Sequence, residues 1–144
     1  MKIFYLCQTA KYAALLAGAY HLKKLENNST YKEFVKYIQN ISIQLYEPYL
    51  LGKDESGTGV YIIATDMEQN LVAKIIDSFM LTFPNTDKYN TIITDSLVQP
   101  NLFLICTLKL SNLWPLKLIF KKLLPFAVWL NRKKVYNTVI STQT

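Results

Sequence analysis

The chain has 144 residues and a net charge of +6, and hydrophobic residues make up 51% of it. This length suits one domain with a buried core, and the apolar content excludes a disordered chain. The sequence shows no signal-peptide pattern and no apolar run of about 18 residues, and its two cysteines lack metal or disulfide spacing, which together predict a cytoplasmic protein without a membrane span.

The first predicted element is a strand at KIFYLC (2–7), a continuous apolar run with aromatic and β-branched residues. A helix is predicted at 13–25, where many small residues would let it sit close to a sheet. A second helix is predicted at 31–41, with Ser29 or Thr30 as its N-cap. The N-terminal third therefore has the strand–helix order of an α/β protein.

Two further strands are predicted around the turn GKDESGTG (52–59), at YLL (49–51) and VYIIAT (60–65), and they could pair as a hairpin. A helix at 67–83 and a strand at 90–96 follow. This alternation predicts a three-layer α/β fold, in which helices flank a small, mostly parallel sheet.

The last third of the chain is predicted to be helical and basic. A helix is expected to begin near Pro100, and residues 114–140 contain two prolines that would begin or kink helices. Residues 1–95 carry nine lysines and all ten acidic residues, whereas residues 96–144 carry seven basic residues and no acidic one. We interpret 1–144 as a single α/β domain whose helical segment 98–144 is basic.

Such a segment favours an anionic partner. Its apolar stripe and its aromatic residues Trp114, Phe120 and Trp129 fit an amphipathic helix on an anionic membrane surface, and an acidic protein is another possible partner. Nucleic acid is less favoured, because no known nucleic-acid-binding signature is present. In a purely structural interpretation, the stripe packs on the sheet and the charges face solvent. The basic residues expected to contact an anionic partner are Lys117, Lys121, Lys122, Arg132, Lys133 and Lys134.

The loop QTAKY (8–12) follows the first strand, where ligands commonly bind in α/β proteins. It lacks the glycines that let backbone amides approach a phosphate closely. Thr9, Lys11 and Tyr12 are its candidate anion-binding residues, and an ordinary turn is the alternative.

Two residues at predicted strand ends are candidate catalytic groups. Cys7 could be a nucleophile beside a helix N-terminus and Lys11, or a small buried hydrophobic residue. Asp95 could bind a metal or accept a proton, or cap the next turn. His21, the only histidine, has no partner at a catalytic or metal-binding spacing, which predicts a packed side chain. The sequence indicates no cofactor and no metal site.

The segments KIFYLC, AALLAGAYHLKKL, GKDESGTGVYII and ITDSLVQPNLFL together resemble a family of small uncharacterised proteins from spore-forming Gram-positive bacteria, defined only as a domain of unknown function. In that family the first strand ends in Cys-Tyr-Gly-Gly, any residue, then His-Ser-Ser, a loop of the kind that binds anions or nucleotides. Cys7 matches this pattern, but its two glycines, histidine and two serines are replaced here by Thr9, Ala10, Tyr12, Ala13 and Ala14. The resemblance implies a retained scaffold with a degenerate loop.

The sequence thus favours a non-catalytic binding, regulatory or accessory protein. Two alternatives stay open. One is an enzyme acting on a phosphorylated small molecule through Cys7, Lys11 and Asp95. The other is a peripheral membrane protein docked by residues 114–134.

Overall fold

The computed structural model of the protein describes residues 1–7, 11–44, 47–65, 71–72, 74–76, 78, 91–95, 100–111, 113 and 117–143. The described residues between 71 and 78 are helical. The remaining elements, in chain order, are β1 (Lys2–Cys7), α1 (Lys11–His21), α2 (Tyr31–Gln39), β2 (Tyr49–Lys53), β3 (Gly59–Ala64), β4 (Thr91–Asp95), α3 (Leu102–Ser111), α4 (Lys117–Leu130) and α5 (Arg132–Gln143).

The four strands form a mixed sheet in the order β2-β3-β1-β4. The central strand β1 pairs in parallel with both β3 and β4, and β2 pairs antiparallel with β3, which confirms the predicted hairpin. The α/β class is confirmed, but the sheet is mixed rather than mostly parallel. The physical reason is the short 54–58 turn, which can only reverse the chain and so makes β2 antiparallel.

Side chains of β1 alternate between two cores. Ile3, Tyr5 and Cys7 point to one face and belong to a large core formed with α1, α2, α4 and α5. Phe4 and Leu6 point to the opposite face and pack with Val72 and Ile76 from the helical residues between 71 and 78. Helical residues thus cover both faces of the sheet.

Helix α1 lies close to the sheet because its contact face is built from small residues. A methyl group at Gly18 would lie 2.5 Å from the side chain of Leu51, so this face has no room for a larger residue without displacing a neighbour. The buried small residues of α1 are Ala13, Ala14, Ala17, Gly18 and Ala19.

Helix α2 begins with a capping box, which confirms Thr30 as its N-cap. The Thr30 hydroxyl accepts a hydrogen bond from the Glu33 amide at 3.4 Å, and the Glu33 carboxylate accepts one from the Thr30 amide at 2.6 Å. Two of the amides that a helix N-terminus leaves without partners are satisfied in this way.

A buried asparagine fixes the C-terminal helices to one another. Asn131, between α4 and α5, accepts a hydrogen bond from the Asn101 amide at 3.0 Å and donates one to the Ala127 carbonyl at 2.9 Å. Asn101 in turn accepts a bond from the Leu104 amide and caps α3. The predicted 114–140 segment is therefore divided at Asn131, while α4 continues through Pro125.

Some predictions fall outside the described residues. These are most of the QTAKY loop, much of the predicted helix at 67–83, and the position of Trp114.

Replacing Thr30 with alanine is expected to lower the free energy of unfolding by about 1 kcal/mol, because the Glu33 amide loses its acceptor. Urea unfolding of purified variants measures this. Thr30→Ser should retain nearly all of the stability, and Lys32→Ala, exposed in the same turn, should change it by less than about 0.5 kcal/mol. Equal losses in Thr30→Ala and Lys32→Ala would contradict the capping role.

Candidate functional site

The backbone brings the two candidate catalytic residues to the same edge of the sheet. Cys7 ends β1, and Asp95 ends β4 opposite Leu6 of β1. Lys11 is exposed at the start of α1, with its ammonium 5.7 Å from the centroid of the half-buried Tyr12 ring. Thr9 and the side chain of Asp95 lie outside the described part of the chain.

Cys7 itself is buried, with 5% of its surface exposed, and belongs to the core beneath α1. This position fits the packing interpretation of Cys7, and a catalytic role for it stays a prediction. Three cavities formed by described residues lie elsewhere in the molecule and are lined by other side chains than Cys7 and Lys11.

Three side chains form a hydrogen-bonded network at the opposite, amino-terminal edge of β1. The Tyr5 hydroxyl lies 2.8 Å from His21 Nδ1, and His21 Nε2 lies 3.2 Å from Asp54 Oδ2. The His21 tautomer with its proton on Nε2 satisfies both contacts, because Nε2–H donates to Asp54 and Nδ1 accepts a hydrogen bond from the Tyr5 hydroxyl. His21 is 3% exposed, which confirms the predicted packed side chain.

Asp54 also organises the turn between β2 and β3. Its Oδ1 accepts hydrogen bonds from the Ser56 amide at 2.9 Å, the Ser56 hydroxyl at 2.6 Å and the Thr58 amide at 2.9 Å. These bonds, first that of the Ser56 hydroxyl and then those of His21 and the turn amides, outweigh partial burial and lower the pKa of Asp54 to about 2. Asp54 is therefore ionised at neutral pH, which suits it to accept all of these bonds.

The C-terminal helix also acts on Tyr5. Burial raises the pKa of Tyr5 far above its ordinary value, and the side chain of Thr142, in the last turn of α5, opposes part of that rise. Tyr5 has no exposed surface, and Asp54 Oδ1 is engaged by the Ser56 and Thr58 donors of the turn. We interpret the network as a structural clamp that joins β1, α1, α5 and the 54–58 turn.

This clamp was missed in the sequence. Tyr5 and His21 are separated by 16 residues, and His21 and Asp54 by 33, so no local spacing reveals them. One signal in the sequence could have indicated the clamp. The single histidine lies near the end of a helix whose small residues allow close packing on a sheet.

A second feature is a surface of exposed apolar residues beside lysines on α3 and α4. On α4, one stripe at helical spacing faces solvent, whereas Leu124, Ala127 and Val128 on the other side are buried. Helix α3 packs against α4 and exposes apolar residues of its own. We define the basic apolar surface as Leu102, Phe103, Lys109, Lys117, Leu118, Ile119, Lys121, Lys122, Leu123, Phe126 and Leu130, all of them exposed.

The structure corrects two expectations about this segment. Trp129 does not face outward, since it is 6% exposed and stacks on Phe34 with ring centroids 5.5 Å apart. The apolar stripe does not pack on the sheet, since Ile119 is 60% exposed. In both cases the predicted helical spacing was correct. Because both sides of α4 are apolar, the spacing alone does not determine which side faces the core.

The whole chain matches one family model, over residues 2–144. The chain belongs to the family described as protein of unknown function DUF3189. This confirms the resemblance at the level of a domain of unknown function. Searches of curated proteins and of solved structures find no match. Among the described helices, none has the length and apolar character needed to cross a bilayer.

Replacing Asp54 with alanine is expected to destabilise the protein by roughly 1–3 kcal/mol, because His21 and the turn donors lose their acceptor. Urea unfolding measures the effect. Glu55→Ala is the matched control in the same turn. Its only side-chain contact in the described structure is an exposed pair with Lys23 at 2.8 Å, worth about 0–1 kcal/mol. A similar loss in both variants would contradict the clamp.

The lowered pKa of Asp54 predicts a pH-dependent contribution to stability. Its ordinary pKa is 3.8 and its folded value about 2, so its stabilisation is complete above the ordinary value and is lost as pH falls towards about 2. Urea unfolding of the wild type and of Asp54→Asn should show their difference in stability shrinking across that interval. A constant difference would contradict this assignment.

Proposed function

We propose that the protein is a non-catalytic binding protein that docks on anionic membrane surfaces through α3 and α4. The observation that carries the proposal is the basic apolar surface. A cytoplasmic location belongs to the proposal, because anionic lipids give the cytoplasmic leaflet its negative potential. This function joins the binding interpretation with the peripheral-membrane alternative.

The apolar part of the surface supplies the first contribution. Leu102 and Leu118 are each 75% exposed, and Ile119 is 60% exposed. Full burial of one such side chain contributes about 1.5–3 kcal/mol, and an interfacial helix buries its apolar face at the boundary between headgroups and acyl chains. A contiguous apolar surface of this kind is uncommon on a protein that only meets water.

The lysines supply the second contribution. Lys117, Lys121 and Lys122 are exposed in the first turns of α4, and Lys133 and Lys134 are exposed at the start of α5. Each lysine near an anionic bilayer contributes about 1 kcal/mol. Residues 96–144 contain no acidic residue that would offset them. Arg132 is less available to lipid headgroups, because its guanidinium lies over the Trp129 ring, 5.1 Å from the centroid.

The same charges argue against a second copy of the chain as the occupant of this surface. A two-fold interface would place identical patches face to face, so the lysines of both copies would repel each other. A bilayer with anionic headgroups supplies the complementary charge and an apolar interior together. A peptide segment with acidic and apolar residues is the competing partner that the experiment below distinguishes.

The loop after β1 is not expected to contribute to membrane docking. Its departures from the glycine- and serine-containing loop that the family resemblance implies support a degenerate anion loop at Thr9, Lys11 and Tyr12. The burial of Cys7 supports a role in packing over the enzyme alternative.

Replacing Lys117, Lys121 and Lys122 together with glutamine should weaken binding to anionic vesicles on the order of a hundredfold, because three favourable charges are lost. Co-sedimentation with vesicles of phosphatidylcholine containing about 30 mol % phosphatidylglycerol measures this, with pure phosphatidylcholine as reference. The wild type should bind the anionic vesicles, and added salt should weaken the binding.

The matched control is Lys32→Gln with Lys36→Gln, which removes exposed charge from α2 instead. It should bind nearly as the wild type does. Absence of wild-type binding to anionic vesicles would overturn the proposal. Binding that both sets of variants weaken equally would show that net charge, and not this surface, is responsible.

The apolar contribution can be measured through Cys106, which is exposed on α3 while Cys7 is buried. A polarity-sensitive dye on Cys106 should shift its emission to the blue on anionic vesicles. Ile119→Ser should weaken binding about tenfold, whereas Ile140→Ser, 44% exposed on α5, should not. An unshifted dye on bound protein would contradict insertion of α3.

A further inference from the structure

Helix α3 is apolar on all of its sides, although it lies on the outside of the domain. Its outer side exposes Leu102 at 75% and Phe103 at 45%. On its inner side, Leu104 is 1% exposed and Leu108 is half-buried. Lys109 is its one charged residue. A helix that is hydrophobic all round is typical of a protein core or of a membrane, so the composition of α3 indicates a second, apolar environment.

The polar side chains of α3 are satisfied within the helix itself. The Thr107 hydroxyl donates a hydrogen bond to the Phe103 carbonyl at 2.7 Å, and the Ser111 hydroxyl donates one to the Leu108 carbonyl at 2.8 Å. In the described part of the chain, no side chain of α3 forms a hydrogen bond with another element. Both hydroxyl bonds would move with the helix, so transfer of α3 into lipid leaves neither hydroxyl without a partner.

Helix α3 is held on the domain mainly by apolar packing. Among the described elements, α4 provides the main packing contact of α3. One hydrogen bond adds to it, in which the Asn101 amide, just before α3, donates to the Asn131 side chain at 3.0 Å. Releasing α3 into water would expose Leu104, which belongs to the main core. The acyl chains of a bilayer would bury that side chain again, so release is far less unfavourable on a membrane than in water.

We infer that α3 separates from α4 on an anionic bilayer, so that its inner side, with Leu104 and Leu108, contacts the acyl chains. The inference rests on the proposed membrane docking, and it adds a buried lipid-binding surface to the exposed one. The lysines of the basic apolar surface bring α3 to the headgroups. The bilayer also covers the side of α4 that α3 leaves, because both helices belong to the docking surface. The separation breaks the hydrogen bond between Asn101 and Asn131.

Photolabelling of the full wild-type chain tests this inference. The probe is a phospholipid with a diazirine in its acyl chain, added to phosphatidylcholine vesicles that contain about 30 mol % phosphatidylglycerol. On irradiation the diazirine loses N₂, and the resulting carbene inserts into a C–H bond of a side chain that it touches. Mass spectrometry then locates the labelled residues. We expect label at Leu104 and Leu108 as well as at the exposed Leu102, and none at Leu15 of α1, which is 1% exposed.

The other labelling patterns separate this inference from the docking proposal. Label confined to Leu102 and other exposed residues of bound protein would overturn the release of α3 and leave membrane docking intact. Label at Leu15 as well would also overturn it, because the whole domain would then open on the vesicles. Absence of binding to the anionic vesicles would overturn the docking proposal, and this inference with it.

Replacing Asn131 with alanine gives a second test, because it removes the acceptor of the Asn101 amide. Release of α3 then breaks one hydrogen bond fewer, so this variant should bind the anionic vesicles about threefold or more tightly than the wild type. The control is Thr138→Ala on α5, whose hydroxyl donates to the Lys134 carbonyl of its own helix, and it should bind as the wild type does. Co-sedimentation measures both, and circular dichroism checks that each variant is folded. Unchanged or weaker binding by folded Asn131→Ala would contradict the release of α3.

Discussion

The close approach of α1 to the central strands is the contact on which the other parts of the structure depend. Alanine and glycine on the inner face of α1 let its backbone lie near β1 and β3, and Gly18 sits where even a methyl group would meet the Leu51 side chain of β2. Only at this separation can His21, at the end of the helix, reach both Tyr5 in the sheet and Asp54 in the turn. One close contact thus decides where the helix ends, how the turn is held and where α5 is attached.

The order and type of the elements could be predicted from the sequence, because strand and helix periodicities are local properties. The central strand, the capped start of α2 and the hairpin at 49–65 were all accessible in this way. That hairpin already implies one antiparallel pair, so the prediction of a mostly parallel sheet gave it too little weight in a sheet of four strands. The orientation of α4 was out of reach, since its stripe at Ile119 and its buried Trp129 are both apolar, and tertiary contacts alone decide which faces the core.

The two edges of the sheet and the outer helices have different roles. At the amino-terminal edge, the charged and polar groups around Asp54 are engaged with one another and serve the fold. At the carboxyl edge, Cys7 is enclosed by the core beneath α1. Among the described residues, α3 and α4 combine exposed apolar side chains with exposed lysines. A chain with this distribution is suited to attach to something larger than itself, and membership in a family of unknown function is compatible with that role.

The junction at Asn131 has a consequence for motion. Helix α3 packs mainly on α4, and the Asn101–Asn131 hydrogen bond secures its first turn, so it has few ties to the sheet. Elements held by few buried contacts open at a lower free energy than the global unfolding of the domain. The backbone amides of α3 should accordingly exchange with solvent deuterium through a local opening, with the sheet still intact. This opening would uncover Leu104, which is 1% exposed and belongs to the main core, so α3 can move to a new environment only where that side chain is buried again.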